Sequence, residues 1–198
     1  MRLILITGFF GSGKTTVLIS LARYLSAGLA PKSIVIIENE IGAANVDGLL
    51  LQETNYEVRD LTSGCICCSL SGQLAGAIEE IRADLNPQWL LIEASGLAHQ
   101  TIVDVIARSG PGLRPFSIVL ADAQRWDELM ENMPMLISTQ MEKADLILLN
   151  KADAAAPDEL ARAEEEIRAI SEKPCCRISA AKDELSALWG KVVENVCS

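Results

Sequence analysis

The eight residues Gly8-Phe9-Phe10-Gly11-Ser12-Gly13-Lys14-Thr15 constrain this chain more than any other stretch. They satisfy GxxxxGK[ST] at every fixed position and lie between a short apolar run, Arg2–Ile6, and an amphipathic one, Thr16–Ala27. Strand, loop and helix in that order are the context the pattern requires. The glycines let the backbone curl until successive N–H groups point at phosphate oxygens, and the helix N-terminus adds its positive dipole end. The pattern assigns Lys14 to the β- and γ-phosphates and the Thr15 hydroxyl to Mg²⁺. Gly8, Gly11, Ser12, Gly13 and Thr16 complete the cradle. The plainer alternative, a glycine-rich turn with a chance lysine, leaves the flanking strand and helix unaccounted for. The expectation is a nucleotide-binding chain.

At 198 residues, 49% of them apolar and spread along its length, the chain can bury a core of its own. One domain over 1–198 is expected, since no repeat, low-complexity tract or linker interrupts it and Gly110-Pro111-Gly112 reads as a turn. No apolar run reaches the roughly 18 residues of a membrane span. The N-terminal apolar stretch runs straight into the phosphate loop rather than into a cleavage site, so the cytoplasm is the expected location. With 17 basic against 27 acidic side chains the formal charge is −10. That argues against nucleic acid or an anionic membrane as partner. Five of the six cysteines fall in two tight clusters, and in a cytoplasmic chain such clusters read as metal-binding or reactive rather than disulfide-paired.

Apolar runs alternate with amphipathic stretches. Beyond the first strand, Ser33–Ile37, Glu57–Leu61, Trp89–Ile92, Ser117–Leu120, Leu146–Leu149 and Arg177–Ile178 read as strands. Ser71–Leu85, Gln124–Glu131, Met135–Met141, Pro157–Ile170 and Glu184–Asn195 read as helices. The clearest is 157–170, where Leu160, Ala163, Ile167 and Ile170 share one face and Pro157 suits the first turn. The alternation predicts an α/β fold of the P-loop NTPase kind: a mostly parallel central sheet with helices on both faces, its ligands beyond the carboxyl ends of the strands.

The remaining motifs fall at such ends. Asn150-Lys151-Ala152-Asp153 matches [NT]KxD, the guanine-reading pattern. Guanine offers N1–H and its exocyclic amine as paired donors, and the Asp153 carboxylate accepts from both. The Lys151 stem lies over the base. Adenine has no such donor pair. Ser179-Ala180 follows a short strand, where a backbone N–H meets guanine O6. Order and spacing favour GTP/GDP over ATP; a plain lysine–aspartate helix start is the alternative. Glu93, ending the strand before Ala94-Ser95-Gly96, is the candidate carboxylate for Mg²⁺, and the Gly96 N–H the candidate sensor of the γ-phosphate. Glu38, Glu40 and Asp47 follow another strand as metal or water ligands, or as ordinary solvated loop charge. No His or Gln is evidently placed to orient water, so slow intrinsic hydrolysis is expected, with Asp47 or Glu40 orienting the water.

Gly64-Cys65-Ile66-Cys67-Cys68 brings three thiols within four residues, a donor set for Zn²⁺, Co²⁺, Ni²⁺ or Cu⁺. Three small buried residues, or a redox-active thiol cluster, would carry the same spelling. GFFGSGKTT, ENEIG, GCICC, IEASG and NKAD, in this order and across nearly the whole chain, resemble the CobW-type metallochaperone GTPases, relatives of UreG and HypB. The resemblance implies a GTPase that binds a transition metal (Zn²⁺, Co²⁺ or Ni²⁺) near its nucleotide and delivers it to a client metalloenzyme or corrinoid or other metal-centre protein, often with nucleotide-dependent homodimerisation. Carried over, Glu38, Cys65, Cys67 and Cys68 are the transition-metal candidates, while Thr15, Glu40 and Glu93 belong to the Mg²⁺ side.

The chain departs from the family's usual ENEFGE at Ile41-Gly42-Ala43, and from its GxADP at Gly96-Leu97-Ala98-His99-Gln100. It is also expected to lack the family's C-terminal domain. His99 is a candidate fourth ligand, or else a surface loop histidine; Cys175 and Cys176 read as core or edge-strand residues. Two other functions stay open: a GTP-dependent regulatory or assembly switch whose cysteines are structural or redox-sensing, and a small-molecule kinase, for which no arginine cluster supplies a lid.

Overall fold

The computed structural model describes residues 1–27, 29–30, 32–39, 56–60 and 70–197. The described strands are β1 (Arg2–Gly8), β2 (Ile34–Asn39), β3 (Tyr56–Asp60), β4 (Trp89–Ala94), β5 (Phe116–Asp122), β6 (Leu146–Asn150) and β7 (Cys175–Arg177). They form one seven-stranded sheet in the order β3-β2-β4-β1-β5-β6-β7. Every ladder is parallel, so all carboxyl ends share one edge. There β1, β2, β4, β5 and β6 present Gly8, Glu38, Glu93, Asp122 and Asn150.

Between the strands run α1 (Lys14–Ser26), α2 (Leu70–Asp84), α3 (His99–Arg108), α4 (Trp126–Asn132), α5 (Pro134–Lys143), α6 (Pro157–Ile170) and α7 (Ser186–Cys197). Successive strand residues point to opposite faces, which explains the continuous apolar spelling of β1. Ile4 and Ile6 pack with Leu18 and Leu21 of α1 and Trp189 of α7. Leu3 and Leu5 face the other way, onto Ile78 of α2 and Ile106 of α3. Farther along that second face, Val119 and Leu149 meet Trp126 of α4, Ile137 of α5 and Ile167 of α6. Each fully buried aliphatic side chain contributes about 1.5–3 kcal/mol, and both faces are filled. Two indoles make directional ties across this packing: Trp189 Nε1 donates to Ser20 Oγ at 3.0 Å and Trp126 Nε1 to Glu166 at 2.7 Å.

Helix α6 has the expected bounds, with Pro157 in its first turn and the Glu159 carboxylate accepting from the Ala156 N–H at 2.9 Å. The sequence reading left α3 out. Its Ile102, Val105 and Ile106 bury at helical spacing, just beyond the residues Gly96 to Gln100 that the motif reading covers. The last strand also comes two residues earlier than expected, at Cys175–Arg177. Among the described residues no helix is long and apolar enough to cross a membrane.

Candidate functional site

The loop between β1 and α1 is shaped by what surrounds it. Gly8 has φ 152°, and a Cβ there would stand 2.6 Å from the Leu120 carbonyl oxygen and 2.8 Å from Ser12 Oγ. Gly13, the N-cap of α1, is left-handed at φ 96° and lies against the Asn150 carboxamide with no room for a side chain. No side chain caps α1, and its first turn holds no acid. Its leading N–H groups are left to an anion. Lys14 is 3% exposed, and its ammonium donates to the Phe9 carbonyl at 3.3 Å across the loop. The Ser12 and Thr7 hydroxyls are buried without a hydrogen-bond partner. Of the two, Ser12 lies in the loop itself, and an orphaned hydroxyl there beside a buried cation suits a phosphate; Thr7 pairs with Val119 and faces the opposite side of the sheet.

Thr15 Oγ1 donates to Glu93 Oε1 at 3.0 Å, and Glu93 is 2% exposed. The register pairs Glu93 with Ile6 on one side and Glu38 on the other. Ile6 packs toward α1, so both carboxylates project to the face that carries the phosphate loop. Hydroxyl and carboxylate together are the hard oxygen donors Mg²⁺ takes. Gly96, buried at the start of a 3₁₀ turn (Gly96–Ala98), follows directly.

The base-side motif is tied to this cradle by Asn150, 3% exposed. Its Nδ2 donates to the Ser12 carbonyl at 2.8 Å, while its Oδ1 accepts from the Ala180 N–H at 2.9 Å. One carboxamide thus fixes the phosphate loop against the Ser179-Ala180 loop. Lys151, at φ 62°, reaches Asp122 at 2.6 Å. The Asp153 N–H donates to Ser179 Oγ at 3.1 Å, and its carboxylate holds Lys182 at 2.5 Å. The Lys182 hydrogen bond, then that of Ser179, hold the Asp153 carboxyl below its usual range. Thr16, Ala180 and Ala181 line one end of a groove of about 1040 Å³ that continues between α1 and α7 to Trp89 and Trp189.

Glu40, Asp47, Cys65, Cys67 and Cys68 lie outside the described residues, and among those described no three His, Cys, Asp or Glu side chains gather as a metal site. His99 is neither on the surface nor in a loop. It opens α3 at 2% exposure, and desolvation, then Lys143, depress its pKa while Asp145 opposes them. The buried α3 stripe pulls it inward. Cys175 and Cys176 lie half-buried on the edge strand, as expected; burial lifts the Cys175 thiol to about 11. Sequence reasoning missed Asp122, 1% exposed at the end of β5, although an acid closing an apolar run is the signal that marked Glu93. It also missed Arg125, whose guanidinium donates to the Phe10 carbonyl at 3.3 Å.

A model of the CobW/HypB/UreG nucleotide-binding domain matches residues 2–176. The chain belongs to the CobW/HypB/UreG family. It is 36% identical over 165 residues to the Escherichia coli zinc chaperone YjiA, covering 78% of this chain and 50% of YjiA. With the Pseudomonas aeruginosa zinc chaperone CobW it shares 28% identity over 218 residues, covering 91% of this chain and 56% of CobW. The chain therefore spans about half the length of these curated relatives. A crystal structure of Helicobacter pylori HypB in complex with nickel superposes with a TM-score of 0.63 at 17% identity, over 98% of this chain and 87% of HypB. At that identity the HypB likeness shows the fold alone, an α/β domain with a parallel central sheet.

Proposed function

We propose that this chain is a GTPase that binds a transition metal and couples nucleotide state to its delivery to a client metalloprotein. The observation that carries the nucleotide half is the Thr15 hydroxyl on the Glu93 carboxylate at 3.0 Å, below the buried Lys14 ammonium. Mg²⁺, when bound, supplies charge neutralisation at the β- and γ-phosphate oxygens. The Thr15 hydroxyl and the Glu93 carboxylate would hold it. Lys14 leaves the Phe9 carbonyl for the phosphates and stabilises charge as the γ-phosphoryl departs. Asp153 accepts from guanine N1–H and the exocyclic amine after Lys182 moves aside. The Ala180 N–H, aligned by Asn150, meets guanine O6. Asp47 or Glu40 orients the attacking water, and hydrolysis is slow without a partner.

The metal half is supported by the relatives. YjiA and CobW are named zinc chaperones, and the HypB structure holds nickel. Glu38, on the same face as Glu93, would serve with Cys65, Cys67 and Cys68 as the cargo site beside the nucleotide. A nucleotide-dependent homodimer would set two such faces together.

The test is a titration of Zn²⁺ or Co²⁺ into the protein loaded with GDP or with a non-hydrolysable GTP analogue. Metal affinity differing at least several-fold between the two, and lost in a Cys65/Cys67/Cys68→Ser variant, is expected. Equal affinities remove the coupling. Unchanged metal content in the serine variant leaves a GTP-dependent switch with structural or redox-sensing cysteines.

A further inference from the structure

Two buried side chains that the nucleotide reading does not use flank the turn Gly96–Ala98. Gln140 of α5 is 3% exposed and its Nε2 has no hydrogen-bond partner; His99, directly after the turn, is 2% exposed and its Nε2 has none either. Gln140 lies on Gly96 itself. A Cβ at that glycine would stand 2.7 Å from Gln140 Oε1, 2.8 Å from Nε2 and 3.1 Å from Cδ. The oxygen and the nitrogen both stand nearer than Cδ, so the polar edge of the carboxamide, not its flat face, points at Gly96. Gly96 has no left-handed φ to require glycine, so closeness to this carboxamide is the reason for it. One turn farther along α5, Lys143 donates to Gln100. The same helix therefore holds the segment 96–100 at both ends.

We propose that Gln140 is a positioning residue for the Gly96 turn, poising it between a resting arrangement and one drawn toward a γ-phosphate. The inference rests on the proposed GTPase function together with the motif-based expectation that the Gly96 N–H senses that phosphate. A buried N–H without a partner penalises the arrangement that contains it by roughly tenfold in equilibrium constant. Here that arrangement is the resting one. Movement of the turn toward the cradle carries its backbone carbonyls past the carboxamide and offers Nε2 the acceptor it lacks. Gln140 thus supports the turn by contact while keeping its resting place costly, and the γ-phosphate has less work to do.

Gln140→Met keeps the length and packing and removes the orphaned donor. The measurement is the affinity of Gln140→Met and of the unmodified protein for GDP and for a non-hydrolysable GTP analogue with Mg²⁺, with Tm recorded for both. The analogue is expected to weaken about tenfold while GDP and Tm hold. A second arm pairs Gly96→Ala, whose methyl would overlap the carboxamide, with Gln140→Ala. The double variant is expected to recover analogue binding that Gly96→Ala loses. An unchanged analogue-to-GDP ratio in Gln140→Met, equal weakening of both nucleotides, or no recovery in the double variant overturns the assignment. Failure of the unmodified protein to bind either guanine nucleotide brings down the proposed function instead, and the two failures are told apart in one experiment.

Discussion

The phosphate side and the base side of the site are built in opposite ways. Around β1 and α1 the work falls mainly to backbone, with glycines at positive φ and an uncapped helix start, joined by the Ser12 hydroxyl buried without a partner. Around β6 and β7 it falls to side chains that already have partners, Lys151 on Asp122, Asp153 on Lys182, and Asp183 accepting from the Ser179 N–H at 2.6 Å. The first region is pre-organised by its backbone; the second is tied up in side-chain pairs that must exchange partners. Phosphate binding therefore gains from backbone donors already in place, with the Lys14–Phe9 and Thr15–Glu93 hydrogen bonds to exchange, whereas base reading is a difference between similar terms. Affinity belongs to one half of the site and discrimination to the other.

Asn150 joins the halves, so its loss tests the division most severely. Asn150→Ala leaves the buried Ser12 carbonyl and the Ala180 N–H without this partner, each costing about 1–3 kcal/mol. We expect about a hundredfold loss of both GTP and ATP affinity, read by isothermal titration, together with a lower Tm. A variant that loses guanine preference alone would show that the cradle stands without its tie to the base side.

Asp153→Asn separates the two functions. Its amide opposes the guanine donors with a donor of its own but matches the C2 carbonyl of xanthine. Guanine affinity is expected to fall by about 10²-fold or more with xanthosine triphosphate gaining, as the buried mismatch dictates. Inorganic phosphate and Mg²⁺ effects on the cradle should stay as they were. Competition titration with the two triphosphates reads the exchange.

The halves also differ in response to acid. Behind the Gly96 turn, the His99 imidazole has its pKa pushed below 6.5 by desolvation first and Lys143 second. A depressed pKa means stability that is present above the unfolded value and lost as pH falls through 6.5 toward the folded one. Asp153 is displaced in the same direction from 3.8, chiefly by Lys182, so its contribution persists until far more acid conditions. Between pH 7 and 5 we expect amide exchange to quicken in 96–108 before it does in 150–153. His99→Phe should remove the acid step in the first segment, and a step that survives it belongs to another group.

The sheet was legible because burial on both faces writes each parallel strand as an uninterrupted apolar run, and β1, β4 and β6 have that spelling. Lys14, Thr15, Glu93 and Asn150 were legible because each closes a strand or opens a helix at a fixed motif offset, and Asp153 because it follows Asn150 at one. Helix α3 was not. Its amphipathic stripe begins where the ExxG motif ends, so Gly96 to Gln100 was read for its chemistry and the period behind it was passed over. Pairings across loops were hidden for a plainer reason. Lys151 finds Asp122 from 29 residues away, and Gln140 finds Gly96 only because α5 packs beside the turn. Such meetings depend on the order of strands in the sheet, which no local pattern states.

The smallest effect is the most direct probe of partner exchange. Lys182 holds the Asp153 carboxylate at 2.5 Å, yet the lysine side chain is 69% exposed. Exposed pairs of this kind contribute little net stability, and guanine must displace this one before Asp153 can accept its donors. Lys182→Ala removes the competitor and leaves the acceptor in place. GDP should bind about two- to fivefold tighter at low salt, the upper range of a surface pair. Raising ionic strength should shrink the gain, because salt already screens the pair in the unmodified protein. A loss of affinity would mean that Lys182 steadies the base more than it blocks it, and the base side would then be pre-organised like the cradle.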